Sequence, residues 1–235
     1  MTDSAKRLSG LDWHAITTQL NDDGYAILDS LLTGEDCRKL AACYTRDTLF
    51  RSHIDMARHG YGRGTYKYFS YPLPDLVSNL RTVLYPGLAR IANDWNARLG
   101  VDIAYPADHA AYLEACHAAG QTRPTPLLLE YGENDFNRLH QDLYGEHVFP
   151  LQLTVLLSAL DDFTGGEFIL SEQRPRMQTR AEVVPLTQGG AVIFPVRQRP
   201  VQGARGAYRV TMRHGVSRIR SGHRQTLGVI FHDAK

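Results

Sequence analysis

Residues 147–159 read His-Val-Phe-Pro-Leu-Gln-Leu-Thr-Val-Leu-Leu-Ser-Ala, an apolar, β-rich run bounded by polar residues. Working outward, runs of the same kind recur between Gly, Asp and Pro punctuation: Leu127 to Tyr131, Glu167 to Leu170, Ala181 to Pro185, Ala191 to Val196, Tyr208 to Gly215 and Thr226 to Phe231. Such spacing predicts seven or eight strands with tight connections, hence an all-β sandwich or barrel over residues 126–235.

Residues 1–125 read differently. Residues 11–20 have the pattern of a short amphipathic helix, and Gly24 to Leu32 is an extended apolar run. Thr33, with Asp36 three residues on, predicts a capped helix that continues to about Phe50. Residues 51–74 carry Gly60, Gly62, Gly64, Pro72 and Pro74 among Arg, Tyr and His side chains, and predict a long loop, either a plain surface connection or a binding loop. A helix from about Asp75 to Leu99, interrupted or restarted at Pro86, is followed by an irregular stretch over 100–126. This helical half is expected to support the β core and cover one sheet, within a single domain spanning 1–235.

With 43% hydrophobic and 22% charged residues, the composition is that of a globular protein, and no run approaches the roughly 20 apolar residues of a membrane span. The first residues lack a secretory h-region, and Cys37, Cys43 and Cys116 show no CxxC spacing, so a cytoplasmic setting is expected. Net charge is only +1, yet between Arg174 and Arg224 eleven arginines face one acid, Glu182. That window reads either as solvated strand ends or as a surface that attracts an anion, a small acid or a nucleic-acid backbone.

His140-Gln-Asp142 places two metal-ligating side chains at i and i+2, which share a face on extended backbone. Chance alone supplies about 0.7 such triplets in a chain of this composition, and a second does occur at His53 and Asp55. The first lies at the start of the β-rich half and the second in the polar stretch after a helix, so His53 is assigned to the surface or to a substrate loop. A metal inside a barrel ties together strands distant in sequence, and His214 is the expected third ligand. Two imidazoles and one carboxylate on one face of an octahedral ion leave about three positions open, as non-haem iron oxygenases require.

Residues 127–233 resemble the iron(II)/2-oxoglutarate dioxygenases, in particular their prolyl 4-hydroxylase-like branch. Tyr131 stands nine residues before His140, Gly165-Gly166 follow in the next hairpin, and Val184-Pro185-Leu-Thr-Gln-Gly-Gly-Ala-Val-Ile-Phe194 is similar to the family's V-x-P-x-x-G-x-A-V-I-F segment. Gly222 and Arg224 stand eight and ten residues after His214. The family commonly has Asp where Gly190 stands, and its collagen-type members have lysine at the Arg224 position. The resemblance implies a double-stranded β-helix (jelly-roll) barrel buttressed by α-helices. It further implies Fe(II) held by His140, Asp142 and His214, and 2-oxoglutarate bound by Arg224, Tyr131 and Thr226, with dioxygen at the remaining iron position. Over His140 to Gln152 and Arg213 to Ala234 the match is closer still to a bacterial group of oxygenases whose family label implies oxidative repair of damaged nucleic acid.

An enzyme of this kind hydroxylates a C–H bond or, where the carbon is an N-methyl group, demethylates it with release of formaldehyde. The primary substrate is unidentified; nucleic acid is a candidate partner, and Tyr144, His147 and the 51–74 segment are candidates for the surface above the metal. The alternatives are a small-molecule or protein hydroxylase of the same mechanism, a catalytically silent β-helix binding module, and a cupin-like isomerase or hydrolase using zinc or manganese.

Overall fold

The computed structural model describes residues 3–143 and 145–235; Tyr144, expected near the metal, lies outside the described residues. Five helices, α1 (Asp3–Ser9), α2 (Trp13–Asp22), α3 (Gly34–Ala42), α4 (Asp75–Arg98) and α5 (His109–Ala118), come from the first half of the chain. That half also supplies four strands: β1 (Ala26–Leu28), β2 (Phe50–Asp55), β3 (Gly62–Arg63) and β4 (Thr65–Phe69). Eleven more follow: β5 (Leu127–Tyr131), β6 (Phe136–His140), β7 (Leu151–Leu156), β8 (Phe163–Gly165), β9 (Phe168–Gln173), β10 (Arg180–Val184), β11 (Ala191–Pro195), β12 (Gln198–Gly203), β13 (Gly206–Val216), β14 (Ile219–Gly222) and β15 (Arg224–Val229).

All described strand pairings are antiparallel and build two main sheets. The major sheet runs β1-β11-β7-β15-β5-β4-β2; the minor runs β10-β9-β13-β6-β3, with β12 also on β13, and β14 and β8 form a short ribbon. Neighbours such as β7 and β15, β11 and β1, and β6 and β13 are distant in sequence, as in a jelly roll. One face of the major sheet, with Leu151, Leu153, Val155, Ile193 and Leu227, is buried under the helices, and α4 supplies Val77, Leu80, Leu84, Leu88 and Trp95 to the same core.

Three expectations are corrected. The 51–74 segment is not a loop: Thr65, Lys67 and Phe69 alternate with Tyr66 and Tyr68 on β4, Gly60 and Gly64 take the turns at φ of 72° and 112°, and Gly62 opens β3 at φ 148°. Helix α4 runs unbroken through Pro86, because apolar side chains at helical spacing are buried on both sides of it and outweigh the roughly 3 kcal/mol an interior proline costs. The 100–126 stretch contains α5, started by Asp108, whose carboxylate accepts from the backbone N–H of Ala110 and Ala111. By contrast the Thr33 cap forms as expected, its hydroxyl accepting from Asp36 N–H at 3.1 Å.

Candidate metal centre and adjoining pocket

The minor sheet positions the two imidazoles. His214 on β13 lies directly opposite His140 on β6, and the next registered pair is Val216 with Asn137. Strand β6 therefore spends two residues, Arg138 and Leu139, where β13 spends Gly215 alone. This bulge lets Asn137 and His140 both face inward although two residues, an even number, lie between them. Gly215 is needed for the close approach, since a Cβ there would lie 2.8 Å from the Asn137 carbonyl oxygen. The bulge also turns the Arg138 carbonyl toward His140, whose Nδ1–H donates to it at 2.7 Å. That bond fixes the tautomer and leaves Nε2 free to coordinate.

Asp142 lies two residues beyond the end of β6 and is set by the segment that carries it. The Gln141 amide donates to the Met212 carbonyl at 2.8 Å, and Gln121 Oε1 accepts from the Glu146 and His147 backbone N–H groups at 2.9 and 2.7 Å. Asp142 then faces His214 Nε2 at 3.2 Å and His140 Nε2 at 3.5 Å. Ligand atoms of all three residues lie within 4.8 Å of one another, the only such His/Cys/Asp/Glu group among the described residues.

Electrostatics match a cation site. Burial alone would raise Asp142, but the His214 and His140 rings outweigh it and hold the carboxyl well below the usual range. Burial, reinforced by His140, lowers His214 and favours its neutral form. For His140, burial works against protonation, and the Asp142 carboxylate overcomes it and raises the ring's pKa. Phe168 and Phe194 flank His214 with centroids at 6.1 and 4.8 Å and keep that side dry.

One contributor carries no signal in the sequence. Gln152, buried on β7, donates to Asp142 Oδ2 at 3.0 Å and to His214 Nε2 at 3.2 Å. The lone pair of His214 now shared with that amide is the one an ion would take. Only the register of β7 against β11 and β15 brings Gln152 here, and Gln152 sits unmarked inside the apolar 147–159 run.

The three residues open onto a cavity of about 220 Å³ between the sheets. Arg224 and Tyr131, cross-strand partners on β15 and β5, line it, and so does Thr226. Arg224 is 2% exposed and Tyr131 fully buried, yet Arg224 Nε and Nη1 and the Tyr131 hydroxyl have no hydrogen-bond partner. Burial lowers the Arg224 pKa to about 10, despite help from Tyr131 and Glu167. Tyr61, Tyr66 and Tyr68 of the β2–β4 region line the cavity as well. His147 does not: it borders a separate groove with Tyr105 and Arg197. His53 is exposed on β2, outside the metal group.

The arginine window divides in two. Arg199 is buried against Glu172 at 2.6 Å and caps the end of α2 through the Asn21 carbonyl, while Arg224 faces the cavity. Arg174 is half-buried on Glu172, and the remaining eight are exposed.

A family model described as an oxygenase catalysing oxidative methylation of damaged DNA matches residues 64–234. Two curated proteins of Mycobacterium tuberculosis, both described as uncharacterized, are 52% identical over 167 residues, 71% of this chain and 72% of each relative. Among solved structures, a Pseudomonas putida prolyl-4-hydroxylase is 14% identical with a TM-score of 0.52, covering 92% of this chain and 96% of its own. An oxidoreductase of the 2OG-Fe(II) oxygenase family from Burkholderia pseudomallei is 15% identical with a TM-score of 0.54, covering 96% and 93%. A Trichoplax adhaerens prolyl hydroxylase, solved with a hypoxia inducible factor peptide fragment, is 14% identical with a TM-score of 0.54, covering 95% and 89%. At these identities the solved structures speak for the fold, while the family match extends over most of the chain. The chain belongs to this oxygenase family, and its fold is that of the 2-oxoglutarate/iron(II) oxygenases.

Proposed function

We propose that the protein binds ferrous ion through His140, Asp142 and His214, holds 2-oxoglutarate with Arg224, Tyr131 and Thr226, and oxidises a methylated base in DNA. The observation that carries this reading is the pair of unpartnered Arg224 atoms, Nε and Nη1, beside the unpartnered Tyr131 hydroxyl, buried in the cavity that the His/Asp/His group also lines. A buried cation without an anion costs several kcal/mol, and such an arrangement persists when a ligand supplies the missing charge. A dicarboxylate such as 2-oxoglutarate would do so, its distal carboxylate held by the Arg224 guanidinium. The donor set fits the metal: two neutral nitrogens and one carboxylate suit ferrous ion and leave coordination positions open.

Ferrous ion and 2-oxoglutarate, once bound, would supply the dioxygen activation that oxidises a substrate C–H bond. The protein's own residues prepare this. Arg224 and Tyr131 orient the co-substrate by charge and hydrogen bonding, Gln152 and the Arg138 carbonyl hold Asp142 and His140 in place, and Leu127, Leu129 and Phe168 exclude water.

The family description supports a DNA substrate. Adding a methyl group needs a methyl donor, whereas hydroxylating an existing N-methyl group gives a hemiaminal that releases formaldehyde, so demethylation or hydroxylation is the reading adopted. Exposed arginines and the tyrosines at the cavity support a nucleic-acid substrate. No helix among the described residues is long and apolar enough to cross a membrane, and the three unbridged cysteines support a reducing, cytoplasmic setting.

Succinate release by anaerobically iron-loaded protein on admission of oxygen tests the reading, with methylated single-stranded DNA, peptides and small metabolites as substrates. Co-substrate turnover stimulated by methylated DNA, with formaldehyde, is expected. Stimulation by a peptide or metabolite alone would move the substrate to that class, and no 2-oxoglutarate turnover at all would remove the enzyme assignment.

A further inference from the structure

Strand β7 alternates between two environments. Leu151, Leu153 and Val155 are buried under the helices, whereas Gln152 and Thr154 turn to the cavity between the sheets. Gln152 pairs across the ladder with Phe194, whose ring lies 4.8 Å from that of His214, so an apolar wall confines the side chain there. Its two ends differ. Nε2 donates to Asp142 Oδ2 at 3.0 Å and to His214 Nε2 at 3.2 Å, while Oε1 is buried without a hydrogen-bond partner among the described residues. Two acceptors fix which way the amide faces, because turning it over would set Oε1 against a carboxylate oxygen and a nitrogen lone pair. A side chain kept for stability alone would satisfy its carbonyl too. Every hydrogen bond this one makes among the described residues goes instead to a residue of the metal group.

Asp142 shows what that donation controls. Oδ2 lies 3.2 Å from His214 Nε2 and Oδ1 lies 3.5 Å from His140 Nε2, so each carboxylate oxygen stands beside one imidazole nitrogen. An ion held by both rings could draw in one oxygen or both. Both would make a fourth protein donor and take a coordination position that oxygen ligands need. On coordination His214 surrenders its lone pair and with it the amide contact, but the contact to Oδ2 can persist. The residue type suits this: glutamine donates without a charge, whereas arginine or lysine would neutralise the carboxylate that has to meet the ion, and glutamate would repel it.

We propose that Gln152 is a positioning residue that keeps Asp142 a one-oxygen donor, its amide holding Oδ2 so that Oδ1 alone turns to ferrous ion and coordination positions stay open for 2-oxoglutarate. The inference rests on the ferrous and 2-oxoglutarate reading above and adds to it opposite effects on the two ligands. Loss of the amide tightens the grip of Asp142 on the ion and loosens the co-substrate. A residue that only held Asp142 in place would, when lost, weaken both.

The test uses the full chain under anaerobic conditions, with Gln152→Leu beside the wild type. Ferrous affinity is measured by equilibrium dialysis, and 2-oxoglutarate affinity at saturating ferrous ion by the visible charge-transfer absorption of the keto acid on the metal. In Gln152→Leu ferrous binding is expected to be at least as tight, while 2-oxoglutarate binding weakens about tenfold, the lower end of what outer partners of metal ligands are worth. Ferrous-induced infrared difference spectra, with a carbon-13 label in the aspartate carboxyls, read the bonding mode directly. The symmetric and antisymmetric stretches are widely split for a one-oxygen donor and closer together for a two-oxygen donor. A wide splitting in the wild type and a narrower one in the variant are expected. If the variant does not fold, as thermal denaturation would show, the wild-type splitting still decides, and a narrow one overturns the proposal. Unchanged 2-oxoglutarate affinity, or a parallel loss of both affinities, would overturn it as well while leaving the ferrous reading intact. Wild-type protein that binds neither ligand would take that reading down together with the inference.

Discussion

At the scale of single residues, Arg224 sets stability against function. Lowering its pKa to about 10 by burial corresponds to a cost on the order of 3 kcal/mol in the ligand-free protein. Arg224→Met is therefore expected to raise the ligand-free Tm by a few degrees and to abolish the Tm increase that 2-oxoglutarate gives the wild type, as thermal denaturation with and without the dicarboxylate would show. In kinetics Arg224→Ala should raise the 2-oxoglutarate requirement by about two to three orders of magnitude while ferrous ion still binds. An unchanged requirement would remove Arg224 from the co-substrate site. Asp142→Ala and His214→Ala are expected to abolish ferrous binding, read by equilibrium dialysis, because each leaves two protein donors on the ion. That His140, Asp142 and His214 meet in one group was legible from the i, i+2 spacing and the strand pattern, and that Tyr131 and Arg224 lie beside them from the family resemblance. Gln152 and Asn137 were not, since their place follows from cross-strand register, which no local run encodes.

At the scale of elements, the bulge between β6 and β13 governs the metal group. Gly215→Ala would press a methyl group against the β6 backbone, costing about 1–3 kcal/mol and spreading His140 from His214. Weakened ferrous affinity together with a lowered Tm is the expected outcome, and unchanged affinity would show that the strands can absorb the methyl group. Elements of one clear period were readable: the β5 run coincides with Leu127–Tyr131, and the Thr33 cap starts α3. The 51–74 segment misled because three glycines in five residues outweigh the short alternation on β4. Helix α4 misled because a local proline penalty says nothing of the burial on either side of it.

At the scale of the whole molecule, a polar clamp joins the helices to the last residues described. Arg81 pairs with Asp233 at 2.7 Å, both buried, and Tyr71 and His117 donate to the same carboxylate at 2.9 and 2.8 Å. Beside it, burial holds His109 and His232 down to about 4. Both are neutral when folded and titrate near 6.5 when unfolded, so the unfolded chain takes up protons first as pH falls. Stability should be full above about pH 6.5 and decline toward pH 4, by up to about 3 kcal/mol for each ring. Urea titrations across that range would check this, and His109→Gln should flatten the slope.

The direct opposition of His140 and His214 across β6 and β13 has a mechanical corollary. An ion gripping both rings acts as a reversible staple at the seam of two strands that the chain brings together from far apart. Its loss would let that seam fray first, so slower deuterium uptake at Gly215 and Gln141 on iron loading would register the staple closing.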